Sequence, residues 1–225
     1  LRTANHHSLE KLFEQPVDIE SPMSNGQSPL LLAVTLRNTK AVQLLLLRGA
    51  DHQVRDSQGR SLFEILWSHG NPGHREAKSI GYLLQAGFRL APTTDEKGQT
   101  WLHRLAAKCD DSNIPVALIE QGYSVDERDG SGWTALHHAV RGDRYDFCQG
   151  LLEKGAEVNA QTLKEVAEIR RDAEGFEHVG YRYMAGSHPL DLENQPFTRG
   201  TQQQNIAKLL QQAGGTKNPA VKNDF

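Results

Sequence analysis

Ten histidines and two cysteines are the side chains best able to bind a metal or attack a substrate here, so their spacing is the first test. His69 and His74 stand five apart, His6 and His7 are adjacent, as are His137 and His138, and Cys109 and Cys148 are isolated. A zinc site is built from close pairs such as Cys-x-x-Cys or His-Glu-x-x-His, and a calcium loop from a compact run of carboxylates. Neither pattern occurs. A cysteine nucleophile needs a histidine within hydrogen-bond reach and a third orienting group, which no spacing implies. Gly-rich phosphate loops, a Gly-x-Ser-x-Gly elbow and a dinucleotide fingerprint are also missing from the sequence. We therefore assign no catalytic, metal or cofactor-binding residue and expect no enzyme, with both cysteines acting as small buried hydrophobes.

The 225 residues include 25 basic and 28 acidic side chains, for a net charge of −3. That balance argues against a dedicated nucleic-acid binder, which concentrates a basic excess. The 37% hydrophobic content excludes wholesale disorder but is thin for one thick core. A shallow, continuous core is the expectation. The longest apolar run, Pro29 to Val34, is far shorter than the ~18 residues of a membrane span, so no membrane insertion is expected. Two cysteines are too few for a secreted disulfide scaffold, which favours the cytoplasm. The chain opens on Leu1, which leads us to expect a segment cut from a longer polypeptide.

Two interleaved glycine series organise the sequence. One opens segments of the form Gly-x-Ser/Thr-x-Leu, at Gly26, Gly59, Gly98 and Gly132, with a looser fifth at Gly186. The other closes Leu-rich segments, at Gly49, Gly87, Gly122, Gly155 and Gly214. Opening to closing glycine spans 23 residues in the first and fourth units, 24 in the third and 28 in the second and fifth. A closing glycine precedes the next opening one by 10 or 11 residues, except for 31 between Gly155 and Gly186. Ser28, Thr100 and Thr134 suit helix starts, Pro29 suits a first helical position, and each closing glycine suits a left-handed helix end. Each unit can bury its apolar stripe only against its neighbours.

This pattern resembles the ankyrin repeat family over residues from about 10 to 215. Trp101-Leu102-His103 and Thr134-Ala135-Leu136-His137 stand where the family carries Thr-Pro-Leu-His, and Leu151 through Ala160 is similar to its helix end plus hairpin. The resemblance implies an all-α solenoid of stacked helix-turn-helix units with finger loops, in which His103 and His137 hydrogen-bond between neighbouring loops. The expected organisation is a half-repeat over 1–25, repeats over 26–58, 59–97, 98–131 and 132–159, an insertion over 160–185, a fifth repeat over 186–214 and a tail over 215–225.

Two departures stand out. The second unit carries Glu64 in place of the histidine, and five extra residues around His69 to His74 predict a longer loop between its helices, with room made for Trp67. In the insertion, Leu163, Val166, Ile169 and Arg170 share a helical face and predict a short amphipathic helix, whereas Val179, Tyr181 and Tyr183 alternate as in a strand. Asn194 to Phe197 reads as a loop.

The resemblance further implies protein binding by finger tips and the exposed face of first helices. Carried onto this sequence, the candidates are Asn25, Gln27, Ser57, Gln58, Arg60, Glu96, Lys97, Gln99, Ser131 and Trp133 in fingers. Thr35, Leu36, Ser68, His69, Ala107, Lys108 and Arg141 are the first-helix candidates, and Phe176, Tyr181 and Tyr183 lie in the insertion. Trp133 is the expected anchor, since tryptophan dominates interface energetics. Asn159, within Glu157-Val158-Asn159, is similar to segments taken by the asparaginyl hydroxylase of ankyrin repeats. The expected role is a non-catalytic scaffold or adaptor, monomeric by itself, for a protein partner. The alternatives are a regulatory or targeting segment of a larger enzyme or channel, or a bacterial effector engaging host proteins.

Overall fold

The computed structural model describes residues 19–21, 26–67, 72–163, 185–192 and 202–217, together with the backbone of 166–171 and 177–183. The leading half-repeat apart from residues 19–21, the loop at Ser68 and His69, and the Asn194 to Phe197 segment lie outside these residues. The chain forms two compact units, divided after Arg89.

In the first unit, Ser28 accepts the Leu31 amide at 3.2 Å and starts helix α1, Pro29–Thr35, with proline in the opening turn. Helix α2, Thr39–Leu47, is capped by Asn38, which accepts the Ala41 amide at 3.1 Å. Helices α3, Leu62–Trp67, and α4, His74–Gln85, repeat the pair. First helix packs on first helix and second on second, α1 against α3 and α2 against α4. Leu30, Ala33, Val42, Leu45, Leu62, Ile80 and Leu83 form the core. Trp67 is half-buried and stacks on Phe63, which stacks in turn on Phe88, with centroids 6.1 and 6.2 Å apart. The indole therefore extends an aromatic column.

The second unit contains α5, Trp101–Ala106, α6, Asn113–Glu120, α7, Ala135–Arg141, and α8, Tyr145–Glu153. Here α5 stacks on α7 and α6 on α8. Ala106 and Ala139 are fully buried, so a single methyl sets how closely the helices approach. Next come strands β1, Val166–Arg171, and β2, Glu177–Tyr183, a short 3-10 turn, Pro189–Leu192, and α9, Gln203–Gln212. All ten glycines of the two series have positive φ, between 70° and 102°, the region that glycine enters without a Cβ penalty. Within each unit the architecture is the expected all-α stack of helix pairs, and in the second unit a β-hairpin is inserted among the described residues.

That hairpin corrects the predicted helix at 163–171. β1 pairs antiparallel with β2, with Glu168 opposite Tyr181 and Ile169 opposite Val179. One β2 residue, Gly180, therefore has no counterpart, as in a bulge. The three-residue spacing of Val166 and Ile169 imitated a helical face. Their β-branched side chains prefer an extended backbone, and pairing with β2 supplies the hydrogen bonds. The bulge also breaks the predicted alternation, since it separates Val179 in phase from Tyr181 and Tyr183.

Gly150 in α8 shows how tightly second helices meet. A Cβ there would lie 2.4 Å from the Ser112 carbonyl oxygen and 2.7 Å from Pro115 Cγ. Glycine to alanine inside a helix ordinarily stabilises by about 1 kcal/mol. For Gly150→Ala we expect the opposite sign, a loss of about 1–3 kcal/mol from overpacking against backbone. Urea denaturation of the two proteins checks it.

Candidate interaction site

Three fingers share one turn. Asp56, Asp95 and Asp129 each stand three residues before an opening glycine. Each carboxylate accepts two amides of its own turn: Gln58 and Arg60 at 2.9 Å, Lys97 and Gln99 at 2.9 and 3.0 Å, Ser131 and Trp133 at 2.9 and 3.0 Å. The glycine amides donate to the same aspartates' carbonyls at 2.8–2.9 Å. The turn backbone is thus fixed from within. Adjacent fingers also touch through backbone, Gly130 donating to the Lys97 carbonyl at 2.9 Å.

Behind the fingers, the side chain five residues after an opening glycine accepts the amide that starts the first helix. His103 Nδ1 accepts from the Thr100 amide and His137 Nδ1 from the Thr134 amide, both at 3.2 Å. The ring proton then sits on Nε2, which donates to the Glu127 carbonyl at 2.9 Å from His103 and to the Ser187 carbonyl at 3.2 Å from His137. Glu64 and Asp191 occupy the same position. Glu64 accepts the Ser61 amide and hydroxyl at 2.7 Å, and Asp191 accepts the His188 amide at 2.7 Å. Glu64 is thus a working helix cap. Those two Ser61 bonds hold its carboxyl below the usual carboxylate range.

Trp133 is 2% exposed. Its ring lies 5.2 Å from that of His138 and 5.8 Å from that of His137. This corrects the expectation of an exposed anchor: the indole packs inside its own repeat. Next to it Asp129 Oδ2 meets His138 Nε2 at 2.8 Å and accepts from Gln99 Nε2 at 3.2 Å. Burial alone would raise the Asp129 carboxyl, but the His138 and Trp133 hydrogen bonds outweigh it and hold it far below the usual range. The Asp–His pair resembles a catalytic dyad, yet the aspartate is saturated by donors of its own finger, the preceding finger and α7. Its chemistry here is to lock the finger. Burial raises the Cys109 thiol to about 12 and drives the Cys148 thiol higher still.

Of the other finger candidates, Ser57, Gln58, Arg60, Glu96 and Lys97 are exposed, and Gln27, Gln99 and Ser131 are half-buried. Arg60 pairs with Asp56 at 2.7 Å. On the first-helix side, Thr35 and Lys108 are exposed, and Leu36, Ala107 and Arg141 are half-buried. Asn25, His69 and Phe176 lie outside the described residues. Tyr181 and Tyr183 are located by register alone, opposite Glu168 and Val166. Asn159 Oδ1 accepts the Thr216 amide at 2.8 Å, and Nδ2 donates to the Gly214 carbonyl at 3.1 Å. Asp56, Asp95 and Asp129 were not singled out by the sequence reading, and Glu64 was noted only as replacing a histidine, without a capping role. Their constant offsets from the opening glycines were the available signal.

A family model described as "Ankyrin repeats (3 copies)" matches residues 73–162, and one described as "Ankyrin repeat" matches 25–57, together more than half of the chain. The chain is 30% identical over 194 residues to the potassium channel AKT2/3 of Arabidopsis thaliana, covering 84% of this chain and 23% of the channel. It is 32% identical over 155 residues to the B-cell lymphoma 3 protein homolog of Mus musculus, covering 68% and 34%. It is 28% identical over 134 residues to the phosphocholine transferase AnkX of Legionella pneumophila, covering 59% and 14%. The chain thus spans at most a third or so of these relatives' lengths.

Two measurements test this account. Trp133→Ala should cost about 3–5 kcal/mol of stability, as for a buried aromatic, seen as a large fall in melting temperature. Burial pushes His137 down to about 3, so on acidification the unfolded histidine takes up its proton first, near its ordinary value of about 6.5. Its contribution is whole above about pH 6.5 and is lost as pH falls toward 3. Denaturation midpoints should drop between about pH 6.5 and 5, above the carboxylate range, and His137→Gln should flatten that slope.

Proposed function

The chain belongs to the ankyrin repeat family, and from that premise we propose that it is a scaffold or adaptor segment that holds a polypeptide partner along its fingers and first helices. The observation that carries this reading is the contrast within each finger. The backbone is fixed by an aspartate and a left-handed glycine, while Ser57, Gln58, Glu96 and Lys97 extend into solvent. A surface ordered before binding loses little conformational entropy on association, which favours specific polar contacts at useful affinity. The contact residues proposed are those exposed tips with Arg60, Gln99, Lys108 and Arg141. Phe176, Tyr181 and Tyr183 of the enlarged fourth finger add apolar area, and Asn25 and His69 join by their positions in the sequence pattern. Repeats over 26–58, 59–97, 98–131, 132–159 and 186–214 are the proposed units. Asn159 stays a candidate for hydroxylation, although its amide already bridges to Gly214 and Thr216.

The net charge of −3 fits a protein partner better than a nucleic acid. Among the described residues no helix is long and apolar enough to cross a membrane. Two buried, unpaired cysteines fit a cytoplasmic setting. A second reading, a targeting or regulatory segment of a larger enzyme, channel or effector, is favoured by the small fraction of the channel and of the phosphocholine transferase that aligns.

The base of the insertion is held by hydrogen bonds of its own. Thr162 donates its amide to the Ser187 carbonyl at 2.9 Å and accepts from the Gly186 amide at 2.7 Å. We expect replacement of 164–184 by a two-residue turn to leave the melting temperature within a few degrees of the parent. Affinity-capture mass spectrometry, repeated with this variant and with Glu96→Ala combined with Lys97→Ala, tests the reading. Loss of a specific protein from either variant supports it; identical capture by all three defeats it.

A further inference from the structure

The second helices of the first unit are rich in cations. Lys40 lies in α2, and Arg75 and Lys78 lie in α4; the one carboxylate of the two helices, Glu76, is buried and paired with Arg37 at 2.8 Å. Lys40 and Arg75 are exposed and Lys78 is half-buried. Among the described residues the side chains of these three enter no ion pair. Their turns are adjacent, since the Thr39 hydroxyl donates to the Arg75 carbonyl at 3.1 Å and lies 3.4 Å from the Ser79 hydroxyl. Helix stability does not call for these charges. Lys40 and Arg75 fall in the first turns of α2 and α4, where a cation opposes the helix dipole.

The same helix faces lead into a cleft. Helical spacing sets Lys40, Gln43 and Leu47 in one row along α2, and Arg75, Lys78 and Tyr82 in one row along α4. At the far end of both rows, Gln43, Leu46, Leu47, Tyr82, Gln85 and Ala86 line a cleft of about 280 Å³. Leu46 is buried there, whereas Leu47 stands 75% exposed beside it. An apolar cavity of about 150 Å³ accepts a benzene ring, so this cleft has room for one bulky aliphatic or aromatic side chain. Gln43 and Tyr82 add an amide and a hydroxyl suited to a peptide backbone. At the helical rise, Lys40 and Leu47 are about 10 Å apart, the reach of about three residues of extended chain.

From this we infer that the α2–α4 groove is a second docking surface, for an acidic polypeptide segment with a bulky apolar side chain about three extended residues from its carboxylates. The apolar side chain fills the cleft beside Leu47, and the carboxylates meet Lys40, Arg75 and Lys78. This surface belongs to second helices and does not depend on the finger and first-helix reading above. Polypeptide is favoured over nucleic acid because a phosphate backbone matches the cations but has no aliphatic group to enter the cleft. It is favoured over a lipid surface because membrane attachment scales with inserted apolar area, and α2 and α4 expose one large apolar side chain, Leu47.

The test is fluorescence anisotropy with a labelled peptide of three glutamates, two alanines, a leucine and a phenylalanine, in that order and reversed. A lysine-for-glutamate version, a short single-stranded DNA and phosphatidylserine vesicles are the comparisons. The expected result is saturable binding of a glutamate peptide, weakened by salt. Binding should fall at least about tenfold in Leu47→Glu, and likewise in Lys40→Glu combined with Arg75→Glu. Alanine in place of the peptide's leucine and phenylalanine should cost as much, and Arg75→Lys should retain binding. Melting temperatures verify folding: Leu47 is exposed, and glutamates in a first turn favour the helix. Should a variant fail to fold, Lys78→Gln serves the same comparison. Glu96→Ala combined with Lys97→Ala, which tests the finger reading, should bind the peptide as the parent does. Absent binding of both glutamate peptides, equal binding by the folded groove variants, indifference to the peptide's apolar residues, or preference for DNA or vesicles overturns the inference. None of these outcomes touches the finger reading.

Discussion

The constraint on which the rest of this structure depends is the shortness of its first helices. Of the described ones, α3 and α5 have six residues and α1 and α7 have seven. Since the cap amide and the first three helical amides of any helix lack an intrahelical partner, up to half of the amides in such helices must be satisfied from outside. A long helix can tolerate a poor start. These cannot. The side chain five residues after each opening glycine is consequently a buried acceptor or a carboxylate in four of five units, and Ser28 caps the remaining one. Histidine is the most economical solution because its second nitrogen donates to the next loop. Glutamate meets only the first requirement, having no proton to donate.

The same logic governs the second helices by a different route. Arg144 precedes α8 and cannot accept, so the start of that helix is satisfied by Asp110 from the preceding repeat, which takes the Asp146 amide at 2.8 Å. Burial raises the Asp110 carboxyl, and the two amides it accepts, together with Arg144, pull in the opposite direction. A repeat in this protein is therefore incomplete in polar terms as well as apolar ones: its amides, like its leucines, find partners one unit away. That mutual dependence makes the array cooperative rather than a string of independent hairpins.

Much of this was legible before any coordinates. The glycine spacings mark where fingers open and second helices end, because positive φ favours glycine, although Arg37 and Asp143 also adopt it between paired helices, and the caps at Ser28, Thr100 and Thr134 follow from the residues beside them. Trp133 was misjudged for a related reason. Its position after a finger glycine is visible in sequence, but its burial depends on His137 and His138 lying across the turn, a contact that residue type alone does not specify. The finger aspartates are harder to see, because an aspartate beside a turn is common and only its offset marks it as structural. Asp56, Asp95 and Asp129 become interpretable only when aligned on their glycines, where one offset recurs three times. The segment at 166–171 misled because Val166 and Ile169, three apart, imitate a helical face, while the partner strand that pairs with them lies six or more residues further on and cannot be read from β1 alone.

Why the array accepts so large an insertion can be argued from its base. Thr162 and residues 186–187 exchange three hydrogen bonds, including Ser187 to the Thr162 hydroxyl at 3.1 Å, so the chain leaves and returns at one fixed point. Loop entropy grows only logarithmically with length, about 0.6 kcal/mol per doubling. Three bonds at roughly 1 kcal/mol each can offset that. The connection that matters to the core skips the insertion altogether: His137 donates to the Ser187 carbonyl 50 positions further on, in the role His103 plays toward Glu127 only 24 positions on. The stacking register is thus indifferent to what lies between the two anchors. A finger whose base is fixed and whose length is thermodynamically cheap is the part of such a fold most free to acquire a new binding surface, and the pairing of β1 with β2 gives it backbone hydrogen bonds of its own.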